Sequence, residues 1–250
     1  MRAAALAVCA LVVLLSTACG DTASDTTSDT DVDRPPLDSP PDPGPVPVDD
    51  GLDPELRDRV IASTARVAGI ACGRTSEGSG FAIADDLLVT NAHVIVGVTE
   101  IVVDLVDGRS ISARPVAFDA DADLAVLRVD THDLEPLPLG DAADGTTGML
   151  VGWEDDPAPD PTPFRIDRPI TVRIDAVAGS ERVERPSWLL AARVESGDSG
   201  AALVDADGTV VGVAYATTTR NADVGYAVRA SEVEALVAAG LSRDVVVPDC

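Results

Sequence analysis

The feature that most constrains this chain is its punctuation. Between residues 65 and 228, short runs rich in Val, Ile, Leu and Ala are broken repeatedly by Gly, Asp and Pro. Six such runs, at 65–70, 80–84, 87–90, 101–106, 111–118 and 124–129, precede a linking segment at 130–144. Six more follow, at 148–153, 165–178, 188–194, 201–204, 210–216 and 225–228. Runs of this kind and spacing read as strands, and each set of six reads as a small closed barrel. The fold class expected is therefore all-β, a double six-stranded β-barrel. Asp205-Ala206-Asp207-Gly208 is a hairpin signal between two strands of the second set. The four prolines in 156–163 predict an exposed loop. A short helix is expected over 231–239, with Ser231 as N-cap, Glu234 completing a capping box and Gly240 as C-cap.

What precedes the strands cannot build a core. Arg2 and the apolar stretch 3–15 form a signal-peptide pattern, too short to span a membrane. Ser16-Thr17-Ala18-Cys19-Gly20 resembles the lipobox of bacterial lipoproteins, which implies lipidation of Cys19; a plain cleaved signal peptide is the other reading. Residues 20–54 are Asp- and Pro-rich with almost no large apolar side chain, so a disordered acidic linker is expected between the leader, 1–19, and the domain, 55–250.

The chain has no lysine, and its 18 arginines face 43 acidic residues for a net charge of −25. That balance excludes nucleic acid as a partner, and leaves an N-terminal lipid as the only expected membrane contact. The exported part holds two cysteines, Cys72 and Cys250, and no CxxC or Cys/His cluster, so neither metal nor cofactor is expected.

One turn stands out chemically. Ser196-Gly197-Asp198-Ser199-Gly200-Ala201 lies between apolar runs, and its glycines let the backbone fold tightly around Ser199. A hydroxyl presented beside converging backbone N–H groups is what acyl transfer needs of a nucleophile and its oxyanion hole. The base must come from elsewhere, and the chain has two histidines. His93 sits in Thr90-Asn91-Ala92-His93-Val94, whereas His132 lies in the linking segment and reads as exposed.

With Asp123-Leu124-Ala125-Val126-Leu127, these motifs resemble the trypsin-like serine proteases, in the phrasing of the HtrA-type branch. They occur in family order, at intervals of 30 and 76 residues. The resemblance implies a cleft between two barrels, with His93 as general base, Asp123 orienting it and Ser199 as nucleophile. Gly197 and Ser199 would supply the oxyanion N–H groups, with Asp198 between them holding the loop through an arginine or a backbone N–H. Asp198 and Ala201 depart from the usual HtrA residues, and the 51 residues after Ser199 leave no room for a PDZ domain. A similar arrangement, including one cysteine before the histidine motif and one at the domain end, is found in the actinobacterial MarP-type acid-resistance proteases. That likeness implies a Cys72–Cys250 disulfide. By the same resemblance the specificity pocket is lined near 193–196, 214–217 and Gly225, with Arg193 pointing either in or out.

The function expected is an exported, envelope-tethered serine endopeptidase acting on peptide or protein substrates. The competing reading is a non-catalytic peptide-binding module on the same fold.

Overall fold

Pairing register shows each half of the chain closing on itself. The computed structural model describes residues 42–153, 158–179, 181–218 and 221–249. The first half contains β1 (Thr64–Ala71), β2 (Arg74–Ala84), β3 (Leu87–Thr90), β4 (Val98–Leu105), β5 (Ser110–Asp119) and β6 (Leu124–Val129). They run antiparallel in the order β1-β2-β3-β6-β5-β4, and β4 returns to β1 through Val103 opposite Val67. The second half contains β7 (Thr147–Gly152), β8 (Asp160–Asp175), β9 (Arg182–Ala191), β10 (Ala202–Asp205), β11 (Val210–Thr218) and β12 (Asn221–Arg229). Here the order is β10-β11-β12-β9-β8-β7, closed by Leu150 opposite Leu203.

Strand periodicity divides the apolar residues among three clusters. Successive side chains point to opposite faces, so Leu88 and Leu127 fill barrel one while their neighbours Val89 and Val126 face away. Leu150 and Leu203 likewise fill barrel two, and Met149, Val151, Ala202 and Val204 face away. The outward sets meet in a shared cluster, which couples the barrels along the line where the site lies.

Among the described residues there are three helices: α1 (Pro54–Ala62), α2 (Ala92–Ile95) and α3 (Ala230–Ala239). The first was not anticipated. Pro54 occupies its first turn, and Asp53 caps it by accepting from Leu56 N at 3.0 Å. Leu56 and Val60 join the shared cluster, and Leu56 packs over Gly208 in the 205–208 hairpin. Residues 42–53, assigned by composition to the linker, are anchored at several points, although half of them are exposed. Arg165 donates to the carbonyls of Pro43 and Pro45 at 2.6 and 3.1 Å. Buried Asp50 pairs with Arg57 at 2.6 Å, and Leu52 is buried. Averaging over an Asp-rich window hid this local anchoring.

Two smaller corrections concern ends. The expected proline loop is strand from Asp160, because Pro161 and Pro163 pair with β7 alone, before β9 joins at Arg165. A missing N–H is tolerated where one side of a strand has no partner. The cap of α3 is Arg229 rather than Ser231, because β12 runs straight into the helix; Gly240 ends it at φ 110°. The tail after α3 returns to barrel one, Ser242 N donating to Val116 O and Gly97 N to Pro248 O. Among the described residues no helix is long and apolar enough to cross a membrane.

Candidate active site

The histidine arm is a short detour out of barrel one. β3 ends at Thr90, and Asn91 opens α2, which carries His93. Asn91 sits at the N-cap position, yet its amide caps nothing; Nδ2 donates instead to Asp123 O at 2.8 Å. Asp123 adopts φ 59°, a left-handed conformation that costs a non-glycine residue about 1–2 kcal/mol. That geometry turns the carboxylate, 2% exposed, onto His93.

The carboxylate takes His93 N at 3.0 Å, and His93 Nδ1 at 3.0 and 2.9 Å to its two oxygens. Donation from Nδ1–H assigns the tautomer in which Nε2 is the acceptor. The imidazole is 38% exposed and the carboxylate sealed, so the free ring nitrogen is the one a substrate or nucleophile can reach.

Beneath this pair lies a residue that the sequence reading passed over. Arg185, on β9 of barrel two, is 1% exposed. Its Nε donates to Asp121 O at 2.9 Å and its Nη1 approaches Asp123 Oδ2 at 3.4 Å. The guanidinium also lies over the Tyr215 ring, 4.8 Å from the centroid. A buried carboxylate needs counter-charge and donors, and here the opposite barrel supplies the counter-charge. Tyr215 hydrogen bonds with Ser187 Oγ at 3.0 Å, and burial pushes its phenol above the ordinary tyrosine range. Arg185 lies in the charged stretch Arg182-Val183-Glu184-Arg185-Pro186, outside the apolar runs, so nothing local marked it.

The serine arm is built from main-chain contacts. Asp198 N donates to Glu195 O at 3.3 Å, and the buried Asp198 carboxylate accepts from Glu195 N at 2.7 Å. A backbone N–H is thus one of the groups that hold this carboxylate. The Asp198 N–H, expected between the oxyanion donors, is directed at Glu195 O. Gly152 makes room for it: a Cβ there would lie 1.6 Å from Asp198 Oδ1.

Ser199 O accepts from Ser79 N at 2.7 Å, tying the turn to β2. Gly78, next along β2, faces both arms, since a Cβ there would meet Val94 Cγ2 at 2.6 Å and Ser199 O at 2.7 Å. The turn bearing Ser199 therefore abuts the helix bearing His93. The sequence signal for this contact was Gly78-Ser79-Gly80 inside a strand, where glycine marks close backbone approach.

A trypsin-like peptidase domain matches residues 78–213, which spans all three motifs. The chain belongs to the trypsin-like peptidases, in the company of the HtrA-family serine proteases. This peptidase is 33% identical over 193 residues to serine protease Rv3671c of Mycobacterium tuberculosis, covering 72% of this chain and 48% of that protein. A probable periplasmic DegP-like serine endoprotease of Halomonas elongata is 37% identical over 152 residues, covering 59% of this chain and 31% of its own. The chain thus spans about half or less of the length of these relatives. The solved active form of Rv3671c protease superposes with a TM-score of 0.73 at 29% identity, covering 85% of this chain and 98% of that one.

The remaining candidates lie apart from the His93–Asp123 pair. Arg193 points outward, ion-paired with Asp223 at 3.0 Å and 63% exposed. Buried Val194 instead faces Gly225, where a Cβ would lie 2.6 Å from Val194 Cγ2. His132 is 77% exposed, 3.9 Å from Asp85. Cys72 is not a free thiol. Cys19 and Cys250 lie outside the described residues.

Proposed function

We propose that this chain is an exported serine endopeptidase working through Ser199, His93 and Asp123. The reading rests on the hydrogen bond from His93 Nδ1 to the buried Asp123 carboxylate, 2.9 Å, beside a turn that carries the serine. In the reaction, His93 Nε2 takes the Ser199 proton as Oγ attacks the scissile carbonyl. Asp123, backed by Arg185, stabilises the imidazolium that forms, and His93 then returns the proton to the leaving amine. The N–H groups of Gly197 and Ser199 receive the developing oxyanion. Arg193 faces outward and Val194 and Gly225 face each other, so the pocket stretch favours an apolar side chain at the cleaved bond over a basic one.

The same reading assigns Cys72 and Cys250 to a disulfide. The bond from Gly97 N to Pro248 O, 3.0 Å, brings the tail to barrel one two residues before Cys250. It also assigns the segment before residue 42 to a spacer and Cys19 to a lipid anchor, which would hold the domain at the outer face of the cytoplasmic membrane.

Hydrolysis of fluorogenic peptides carrying Leu, Val or Arg before the reporter tests the function. Cleavage after Leu or Val that disappears in Ser199→Ala supports the reading. Equal turnover by the alanine variant, or no turnover of any peptide by the unmutated protein, overturns it.

A further inference from the structure

We propose that Ser79 is a positioning residue that sets the spacing of the two oxyanion donors, by gripping from barrel one both residues that carry them. The proposal rests on the reading of Ser199 as nucleophile.

β2 pairs with β3 only from Phe81 onward, so at Ser79 one side of the strand has no strand partner. The nucleophile turn takes that place. Ser79 N–H donates to Ser199 O at 2.7 Å, and Ser79 Oγ donates to Gly197 O at 2.7 Å. Gly197 and Ser199 are the two residues whose N–H groups face an oxyanion in the proposed mechanism. One residue therefore holds both carbonyls, with its backbone on one and its side chain on the other.

The remaining polar groups of Ser79 are occupied as well. Trp153 N donates to Ser79 Oγ at 2.8 Å, from the end of β7 in barrel two, and Thr90 Oγ1 donates to Ser79 O at 2.7 Å. Ser79 is fully buried, so no water substitutes for these partners. With Trp153 N–H occupying one lone pair, the hydroxyl proton is directed at Gly197 O. Its direction is thereby fixed.

Gly197 needs such a restraint. The bond from Asp198 N to Glu195 O closes a four-residue turn in which Gly197 is the third residue, at φ 105°. The only non-glycine residues with positive φ among those described are Cys72 and Asp123, so Ser196 is not left-handed. That combination is a type II turn. Rotating its central peptide gives the type I form, which exchanges the positions of Gly197 N–H and Ser196 C=O. A glycine resists that rotation little by itself. Tethering its carbonyl to Ser79 removes part of the freedom, and the Asp198 carboxylate fixes the other end at Glu195 N.

Ser79→Ala deletes the grip on Gly197 and leaves the grip on Ser199. Oxyanion contacts act in the transition state, so kcat per titrated active site should fall about 10- to 100-fold with KM within about threefold. Binding of a peptide aldehyde, which forms a tetrahedral adduct, should weaken in parallel with kcat/KM. Ser79→Thr, which keeps a donor, should restore most of kcat. If Ser79→Ala does not fold, Ser79→Cys replaces it, and its weak S–H donor should give an intermediate kcat. A wild-type kcat in the Ala or Cys variant, or a change confined to KM or melting temperature, overturns the proposal. Loss of activity in Ser199→Ala, measured alongside, keeps that failure distinct from failure of the nucleophile assignment.

Discussion

Barrel one presents His93 on side-chain hydrogen bonds, to a carboxylate that is itself backed by an arginine from the other barrel. Barrel two presents Ser199 on a turn whose fixed points are mostly main-chain groups: Glu195 N and O, Gly197 O, Ser199 O and Gly200 N, the last donating to Ala214 O at 2.9 Å. The first arm orients a ring that must hold one tautomer. The second arm aims peptide N–H groups, which only backbone placement can do. Each arm is also braced from the opposite barrel, Arg185 reaching to Asp123 and Ser79 reaching to Gly197 and Ser199. The site therefore depends on the two barrels staying in register.

Losing the side-chain arm should cost the most activity. His93→Ala should lower kcat about 10⁴-fold or more while the melting temperature changes little, because the triad acts as a unit and the ring is partly exposed. A loss of tenfold or less would move the base elsewhere.

Next is the main-chain arm. In Gly200→Ala, a side chain at φ 91° would put Cβ 2.1 Å from Ser79 O and 2.7 Å from Thr90 Oγ1. Strain and overpacking together should destabilise the fold by about 3 kcal/mol and displace Ser199. Urea unfolding measures the first effect and peptide hydrolysis the second. A variant normal in both would show that the turn is not held as described.

Arg185→Met sharpens the claim of cross-barrel bracing. Removing one member of a buried ion pair costs about 3 kcal/mol or more, and Asp123 would lose its only cationic neighbour besides His93 among the described residues. Stability and kcat should fall together, with Arg185→Lys intermediate. Unchanged urea unfolding would reduce Arg185 to a bystander.

The smallest effect concerns Tyr215, which stacks on Arg185. Burial raises the phenol in the folded state, so its contribution is fully present below the unfolded value, near pH 10, and is lost as pH rises past it. Between about pH 9.5 and 11, wild type should lose melting temperature more steeply than Tyr215→Phe. At neutral pH the Phe variant should be weaker by about 1 kcal/mol, for the lost bond to Ser187. Parallel alkaline slopes would contradict the assignment.

How much of this could be read from the chain follows the same division. Strands β3 and β6 fall on the runs expected, because alternating or continuous apolar character is local and ends sharply at Asp or Asn. The motifs around His93 and Asp123 stood out only through their resemblance to a known family, and the structure brings that pair together. Arg185 and Ser79 were not legible: their roles come from contacts 62 and 118 residues away in sequence, each from a strand of one barrel to a turn of the other. Asp123, with its left-handed backbone, likewise has its partners far off in sequence, Asn91 on its carbonyl and Arg185 on its carboxylate. Helix α1 was hidden by its acidic approach, although Asp53-Pro54 is a start signal in its own right.

In the proposed mechanism Ser199 is the nucleophile and His93 activates it. Treating the folded protein with a fluorophosphonate and mapping the adduct by peptide mass spectrometry tests it most directly. A single adduct on Ser199, absent in His93→Ala and in protein unfolded beforehand, is the result this account predicts. No adduct, or an adduct on another serine with Ser199 unmodified, would contradict it.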